Sequence, residues 1–236
     1  MRWWWAALVA GLVTLLTACG PLAPAPPGAS AGDGTVLPTD AMDTTGATDA
    51  AEALAGLVVT ARPRPPADYD RNAFGARWAD VDGNGCNQRD DVLLRDAEPG
   101  TARIARQGRC DHDVLAGTWT DPYTGRTLTF DDLKDPAQAQ AIQIDHVVPL
   151  AEAWVSGASA WDDARRREYA NDLAGLLAVD GPTNAAKGAD DPAAWRPRKA
   201  YQCAYARRWI EVKARWRLTV DPSEVAALDD MLGYCS

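Results

Sequence analysis

Five cysteines constrain the fold of this chain more than any other feature of its sequence. No two of them are spaced as a CxxC pair, which argues against a zinc knuckle. One lies near the N-terminus and the other four further along the chain: Cys19, Cys86, Cys110, Cys203 and Cys235. Four cysteines in an exported domain predict two disulfides, and three pairings are possible. We favour Cys86–Cys110 and Cys203–Cys235, because each would close a segment that has its own local pattern, contributing about 3–4 kcal/mol per closed loop.

Export is predicted by the N-terminus. Residues 3–18 form an apolar run after Arg2, too short and too close to the start for an ordinary membrane-spanning helix. The run ends in Leu16, Thr17, Ala18 and Cys19, which resembles the lipoprotein box of exported bacterial proteins. We therefore expect a signal peptide over residues 1–19 and a lipid on Cys19 that anchors the protein to the outer face of the cell membrane. The alternative is an ordinary signal peptide and a secreted protein.

Composition divides the remaining chain into two parts. Residues 20–60 are rich in Pro, Gly, Ala, Thr and Asp, which predicts a disordered tether. Residues 61–236 are enough for one globular domain with a core. The net charge of −9 argues against indiscriminate coating of nucleic acid. Residues 196–217 nevertheless contain eight Lys or Arg and one acid, so this segment could guide a polyanion.

A loop rich in Gly, Asn and Asp has two interpretations. Residues 80–91 begin as D-x-D-x-N-G, like the first half of a calcium loop, with Asp91 at the twelfth position. The other interpretation is a turn pinned by a disulfide at Cys86, in which Asp and Asn side chains cap their own backbone. His112, two residues after Cys110, has no partners at metal-ligand spacing, so we expect a surface or loop histidine.

Hydrophobic patterns predict several strands and helices in the domain. Residues 118–130 read as a hairpin around a D-P-Y-T-G turn, and residues 142–148 and 173–181 as strands. A helix opens near Thr183, and a longer one covers 197–216 with an aromatic stripe facing the core. The last helix begins at Pro222, with a capping box formed by Asp221 and Glu224.

The order strand, strand, helix carries Asp145 and His146 on the first strand and Asn184 on the helix. The segments "NGCNQRDDVL", "DPYTG", "IDHVVPLAEAW", "ANDLAGLLAVDGPTNAAKG", "PAAWRP" and "YQCAYARRWIEVKARWRL" occur in order over residues 69–235. In these blocks the chain resembles the HNH endonuclease superfamily, in the exported branch related to the C-terminal domain of GmrSD restriction enzymes. The resemblance implies an α+β fold, with a ββα-metal finger embedded in a mostly helical single domain that two disulfides staple.

The resemblance also implies roles for individual residues. His146 matches the general base and Asp145 the neighbouring metal ligand, while Asn184 matches the helix position that is histidine in the name-giving motif. Asn171 matches the middle asparagine, whose role is to brace the loop and orient the base. An asparagine in place of a histidine favours oxygen-preferring Mg²⁺, with Mn²⁺ as the second choice, over Zn²⁺. Arg89 and Lys187 are our candidates for holding phosphate.

Elementary chemistry supports the same assignment. A neutral imidazole accepts a proton from water at physiological pH, and a divalent cation offsets the charge that develops on a phosphodiester. One geometric condition follows, because neighbouring residues on a regular strand point to opposite faces. Asp145 and His146 can share a site only if the strand is bulged or ends there, or if the metal lies toward its edge.

These observations together predict a metal-dependent endonuclease. We expect cleavage of DNA, with RNA as a further substrate, and little sequence preference, because no separate reading domain is present. Beyond nucleic acid and membrane, the sequence indicates no obligate protein partner. Two rival hypotheses remain: a non-catalytic surface lipoprotein that binds a cell-wall or nucleic-acid ligand on the same fold, and a calcium-dependent binding module built on residues 80–91.

Overall fold

Helices and antiparallel strands are mixed along the chain, which confirms the α+β class. The computed structural model describes residues 44–61 and 68–235, all of them within the compact unit Ala41–Ser236. The helices are α1 (Thr44–Ala55), α2 (Gln88–Asp96), α3 (Pro136–Ala141), α4 (Leu150–Val155), α5 (Asp163–Ala170), α6 (Gly181–Lys187), α7 (Lys199–Trp216) and α8 (Pro222–Leu232). The strands are β1 (Arg103–Gln107), β2 (Cys110–Thr120), β3 (Thr127–Phe130), β4 (Ile142–His146) and β5 (Leu176–Asp180). They form two sheets, β1-β2-β3 and β4-β5.

The pair β4 and β5, followed by α6, forms the ββα arrangement that the resemblance implies. The strands pair antiparallel in regular register from Ile142 opposite Asp180 to His146 opposite Leu176. All five residues of β5 are buried. Asp180 then caps α6 by accepting the backbone N–H of Thr183. No bulge occurs in β4, and the strand ends at His146, which is one of the geometries that the sequence allowed.

The hairpin predicted over residues 118–130 is formed by β2 and β3. Its turn is organised by Asp121, a buried aspartate whose carboxylate accepts the backbone N–H groups of Tyr123 and Thr124. Asp121 also accepts the backbone N–H of Asp180, which ties the turn to the start of α6. The side chain of Tyr123 is directed into the core as a result, and it is fully buried there.

The two C-terminal helices pack together as the sequence predicts. Tyr205, Trp209 and Val212 form the buried stripe of α7, and the capping box of Asp221 and Glu224 opens α8. Tyr201 and Trp216, the other two residues of the predicted stripe, are partly buried at its margin. The disulfide joins Cys203, on the opposite side of α7, to Cys235, three residues beyond the end of α8.

Both predicted disulfides are present. Cys86 is bonded to Cys110 and Cys203 to Cys235. Next to the first bond, the loop of residues 80–91 has the geometry of the capped turn. The carboxylate of Asp80 accepts the backbone N–H groups of Gly83 and Gly85 at 2.7 and 3.1 Å. Asp80 and Asp82 are therefore engaged with the backbone of the loop itself.

The structure corrects the predicted extent of the tether. Residues 44–55 form α1, and its Ala50 and Leu54 are buried in the main core cluster. Beyond the helix, the N–H of Thr60 donates to the carbonyl of Val220 at 2.8 Å. An alanine-rich helix with so few large apolar residues gives a weak sequence signal, because its stability comes from docking. The predicted signal peptide, Cys19 and the tether up to residue 43 lie outside the described residues. Within the described ranges, none of the helices combines the length and apolarity needed to cross a bilayer.

His112 lies on strand β2 and contacts two carboxylates, one of which belongs to the loop of residues 80–91. Its Nε2 lies 2.7 Å from Asp91 and its Nδ1 2.7 Å from Asp111. Burial acts to lower the pKa of His112, but the hydrogen bonds and charges of Asp91 and Asp111 together outweigh it and raise the pKa above its ordinary value. Folding therefore favours the protonated ring.

Substituting His112→Gln should make this contribution measurable. A raised pKa in the folded state stabilises the protein fully below the ordinary histidine pKa, and the stabilisation is lost as pH rises through the folded-state pKa. The variant should lose on the order of 1 kcal/mol of unfolding free energy at pH 5.5 and less at pH 8.5. Urea unfolding at both pH values tests this. An equal loss at the two pH values would contradict the charged interaction.

Candidate active site

Three of the predicted site residues border one open hollow. Asp145, His146 and Asn184 line a cavity of about 370 Å³ beside the end of β4. Asn171 lies elsewhere, in a neighbouring hollow that His146 also borders. The ββα arrangement thus brings the two predicted metal ligands and the predicted base to one place, and Asn171 to the far side of the base.

His146 is held as a neutral ring, and only one of its nitrogens has a hydrogen-bond partner among the described residues. Its Nε2 lies 2.8 Å from the carbonyl oxygen of Ala170. A carbonyl can only accept, so Nε2 carries the hydrogen and Nδ1 keeps its lone pair. Burial lowers the pKa of His146 to about 4, and the positive charges of Arg71 and Lys187 act in the same direction. The ring is therefore a proton acceptor at physiological pH.

Asn171 holds the backbone that orients this histidine. Its Oδ1 accepts the N–H of Ala79 at 3.0 Å, and its Nδ2 donates to the carbonyl of Arg167 at 2.8 Å. The buried side chain therefore ties the end of α5 to the segment around Ala79, and Ala170 is the adjacent residue in the chain. Its contacts are those of a brace, with no hydrogen bond to His146 itself.

Asp145 lies buried between a tyrosine and a lysine. The hydroxyl of Tyr123 donates to its Oδ2 at 2.5 Å, and the ammonium of Lys187 lies 3.0 Å from the carboxylate. Lys187 also donates to the backbone carbonyl of His146 at 3.0 Å. Burial raises the pKa of Asp145, while Lys187 and Tyr123 oppose that rise. The two partners thus favour the ionised carboxylate in a place where burial disfavours it.

Neither predicted phosphate contact lies where we expected it. Lys187 is fully buried and its ammonium is engaged by Asp145 and a backbone carbonyl. Arg89 donates to the carbonyl oxygens of Ala139 and Ile142, and burial lowers its pKa. Both cations therefore stabilise the fold around β4 through these contacts.

The amide of Asn184 has a defined orientation. Gln143 donates its Nε2 to the carbonyl of Gln140 at 3.2 Å, so its Oε1 faces Asn184 and accepts that residue's Nδ2 at 2.8 Å. The oxygen of Asn184 is left without a protein donor among the described residues. Gly181 permits this arrangement, because a Cβ there would lie 2.4 Å from the carbonyl oxygen of Gln140. A side chain at 181 would push α6 away from β4.

The donors in this hollow fit a hard divalent cation. The carboxylate of Asp145 keeps lone pairs beyond those that Tyr123 and Lys187 engage, and Asn184 offers an amide oxygen. Both are ligands that Mg²⁺ and Mn²⁺ prefer. A second group, Cys86, Cys110 and His112, brings its possible ligand atoms within 4.8 Å of one another. Its sulfurs are joined in a disulfide, so the thiolates that a metal needs are absent.

Two residues that contact the site, Tyr123 and Gln143, are absent from the sequence-based candidates. Gln143 precedes Asp145 by two positions on a strand, so both face α6, and this spacing could have indicated it. Tyr123 precedes Asp145 by 22 residues and reaches it through the hairpin turn. No local pattern predicts that contact.

Comparison with known proteins identifies the family of this chain. The family of C-terminal domains of GmrSD restriction endonucleases matches residues 88–228, and the chain belongs to that family. An "Uncharacterized secreted protein" from Arthroderma benhamiae is 40% identical over 193 residues, covering 80% of this chain and 86% of the relative. No solved structure shows a significant match.

Proposed function

We propose that this protein is a metal-dependent endonuclease that hydrolyses phosphodiester bonds, with His146 as the general base. The observation that carries the proposal is the state of His146. It is neutral, with its Nε2–H held by a backbone carbonyl, and it borders the same hollow as the oxygen donors Asp145 and Asn184. Membership in a family of restriction-endonuclease domains supports a nuclease-related activity.

Each residue of the site then has a distinct task. His146 takes a proton from the attacking water at Nδ1, and Asn171 and Ala170 keep the ring in place. Asp145 and Asn184 would hold Mg²⁺ or Mn²⁺, which supplies positive charge against the developing charge on the phosphate. Tyr123 fixes the carboxylate that faces the cation.

We propose DNA as the substrate, with RNA as a further one, and little sequence preference. A site of this composition engages phosphate and sugar, and such contacts position a strand without reading its bases. The rival, a non-catalytic binding protein on the same fold, has no need for a neutral histidine and two oxygen donors at one hollow. That combination favours the enzyme.

Substitutions should separate the base from the metal ligand. His146→Ala should lower the rate of plasmid nicking by about 10²–10⁴-fold and leave Mn²⁺ binding by calorimetry nearly unchanged. Asn184→Ala should raise the Mg²⁺ concentration needed for half-maximal rate by about tenfold or more. His112→Gln, at the other histidine, serves as the control and should nick at the normal rate. A His146→Ala protein that nicks normally would remove the catalytic assignment.

The pH dependence should differ from that of an ordinary histidine. Only the neutral ring accepts a proton, so kcat/KM should rise with pH through the pKa of His146, about 4, and then stay level through neutral pH. An unperturbed histidine would place the rise at about 6.5. Initial rates in saturating Mg²⁺ from pH 3.5 to 8 test this. A midpoint near 6.5 would mean that the ring is not desolvated in the working enzyme.

We further propose that the protein is exported and held at the outer face of the membrane by a lipid on Cys19. The name of the Arthroderma benhamiae relative describes a secreted protein, which supports export. The residues before Cys19 match a lipoprotein box. Detergent partitioning of the expressed protein should place it in the detergent phase, and Cys19→Ser should move it to the aqueous phase. Aqueous partitioning of the unsubstituted protein would leave simple secretion.

A further inference from the structure

A second hollow, here called the Trp78 hollow, lies against His146. Seven of the residues that line it come from one short segment, residues 71–78, which contains a 3₁₀ turn (Arg71–Phe74). His146, Leu150, Ala170 and Asn171 complete the lining. Because His146 and Arg71 also border the first hollow, a strand bound at the proposed catalytic site would continue directly into this one.

The charge of the Trp78 hollow is opposite to that of the protein as a whole. Its lining contains Arg71 and Arg77 and no carboxylate, although the chain carries a net charge of −9. Arg77 is exposed, and within the described residues it forms no hydrogen bond or ion pair. The charge of Arg71 acts on His146 directly. Neither guanidinium forms an ion pair with a carboxylate in the part of the chain that the structure describes, and two such groups provide attraction for a phosphate.

The aromatic wall of the hollow is strained and rigidly held. Trp78 has φ of 56°, a left-handed conformation that is rare for a bulky residue and typical of functional positions. Its ring lies nearly parallel to that of His146, with 13° between the planes and centroids 6.4 Å apart. The segment is fixed on both sides, since Arg166 donates to the carbonyl of Ala73 and Ala79 donates to Asn171. The wall is therefore formed before any ligand arrives.

We propose that the Trp78 hollow is a subsite for the nucleotide next to the scissile phosphate, with its base against Trp78 and its phosphate at Arg71 and Arg77. A base can reach an indole beside the catalytic histidine only after leaving a double-helical stack. Single-stranded nucleic acid is therefore the preferred substrate. This inference rests on the proposed nuclease function and adds the class of substrate to it.

Binding is measured with a fluorescein-labelled single-stranded DNA oligonucleotide and the intact protein carrying His146→Ala, so that no cleavage interferes. In that background Trp78→Leu should raise the Kd about tenfold, and Trp78→Phe, which keeps an aromatic face, by less than about threefold. Arg77→Gln should raise the Kd about fivefold and lower the slope of log Kd against log salt by about 0.7. Arg106→Gln is the matched control, because Arg106 is exposed on β1 and lies outside both hollows. It should leave the Kd unchanged.

Cleavage rates then test the substrate class. With His146 present, the same oligonucleotide should be cut at least about tenfold faster as a single strand than as a duplex. Trp78→Leu should act on KM for the single strand more than on kcat.

Three outcomes would overturn the subsite. They are equal rates for the two forms, an effect of Trp78→Leu on kcat alone, and an unchanged Kd for Arg77→Gln. If Trp78→Leu does not fold by circular dichroism, Arg77→Gln decides alone. A His146→Ala protein that still cuts contradicts the proposed function instead, so the two failures are distinguishable.

Discussion

A buried ion pair between Lys187 and Asp145 holds the candidate site together. Lys187 is wholly enclosed, and it contacts both the carboxylate of Asp145 and the backbone of His146. Removing one partner of such a pair leaves an uncompensated buried charge, which costs about 3–5 kcal/mol. The pair therefore fixes α6 against β4. Gln143 and Asn184 form a second tie between the same two elements. Gln143 and Asp145, two positions apart on β4, thus contact Asn184 and Lys187, three positions apart on α6. The first pair spans about 6.6 Å along the strand and the second about 4.5 Å along the helix.

Burial has opposite effects on the two neighbouring residues that the site needs. It raises the pKa of Asp145 and lowers that of His146 to about 4, because in both cases the charged form is disfavoured. The histidine is left in the form that accepts a proton. The aspartate needs positive charge nearby to remain ionised, and Lys187 supplies part of it. A divalent cation at Asp145 and Asn184 would add to the same effect.

Local patterns predicted much of this fold, and through-space contacts account for the rest. Strands β4 and β5, the last two helices, the hairpin and both disulfides follow from periodicity, caps and cysteine arithmetic. Helix α1 was missed, because its alanines bury their surface only by packing against distant parts of the chain. The roles expected of Arg89 and Lys187 failed for a related reason. The sequence does not distinguish an exposed cation from one that is buried with a partner. Only the fold shows that Arg89 and Lys187 both donate hydrogen bonds to groups of the domain itself.

Whether a cation is exposed or already paired also decides where this acidic protein can attract a polyanion. Residues 196–217 contain eight basic residues and were the segment that could guide a polyanion. Acidic partners already neutralise several of these charges. Lys213 is buried between Glu152 and Glu224, and other arginines of the segment are paired with Asp230, Glu211 and Asp172. A paired guanidinium contributes little to the field felt by an approaching strand, since its charge is compensated within a few ångströms.

The field near the site is therefore set by the cations without acidic partners. Among the described residues, Arg71 and Arg77 are two such cations, and both line the Trp78 hollow, which His146 also borders. An acidic surface elsewhere would then weaken binding away from the site, so that net negative charge and a nucleic-acid substrate are compatible in one domain.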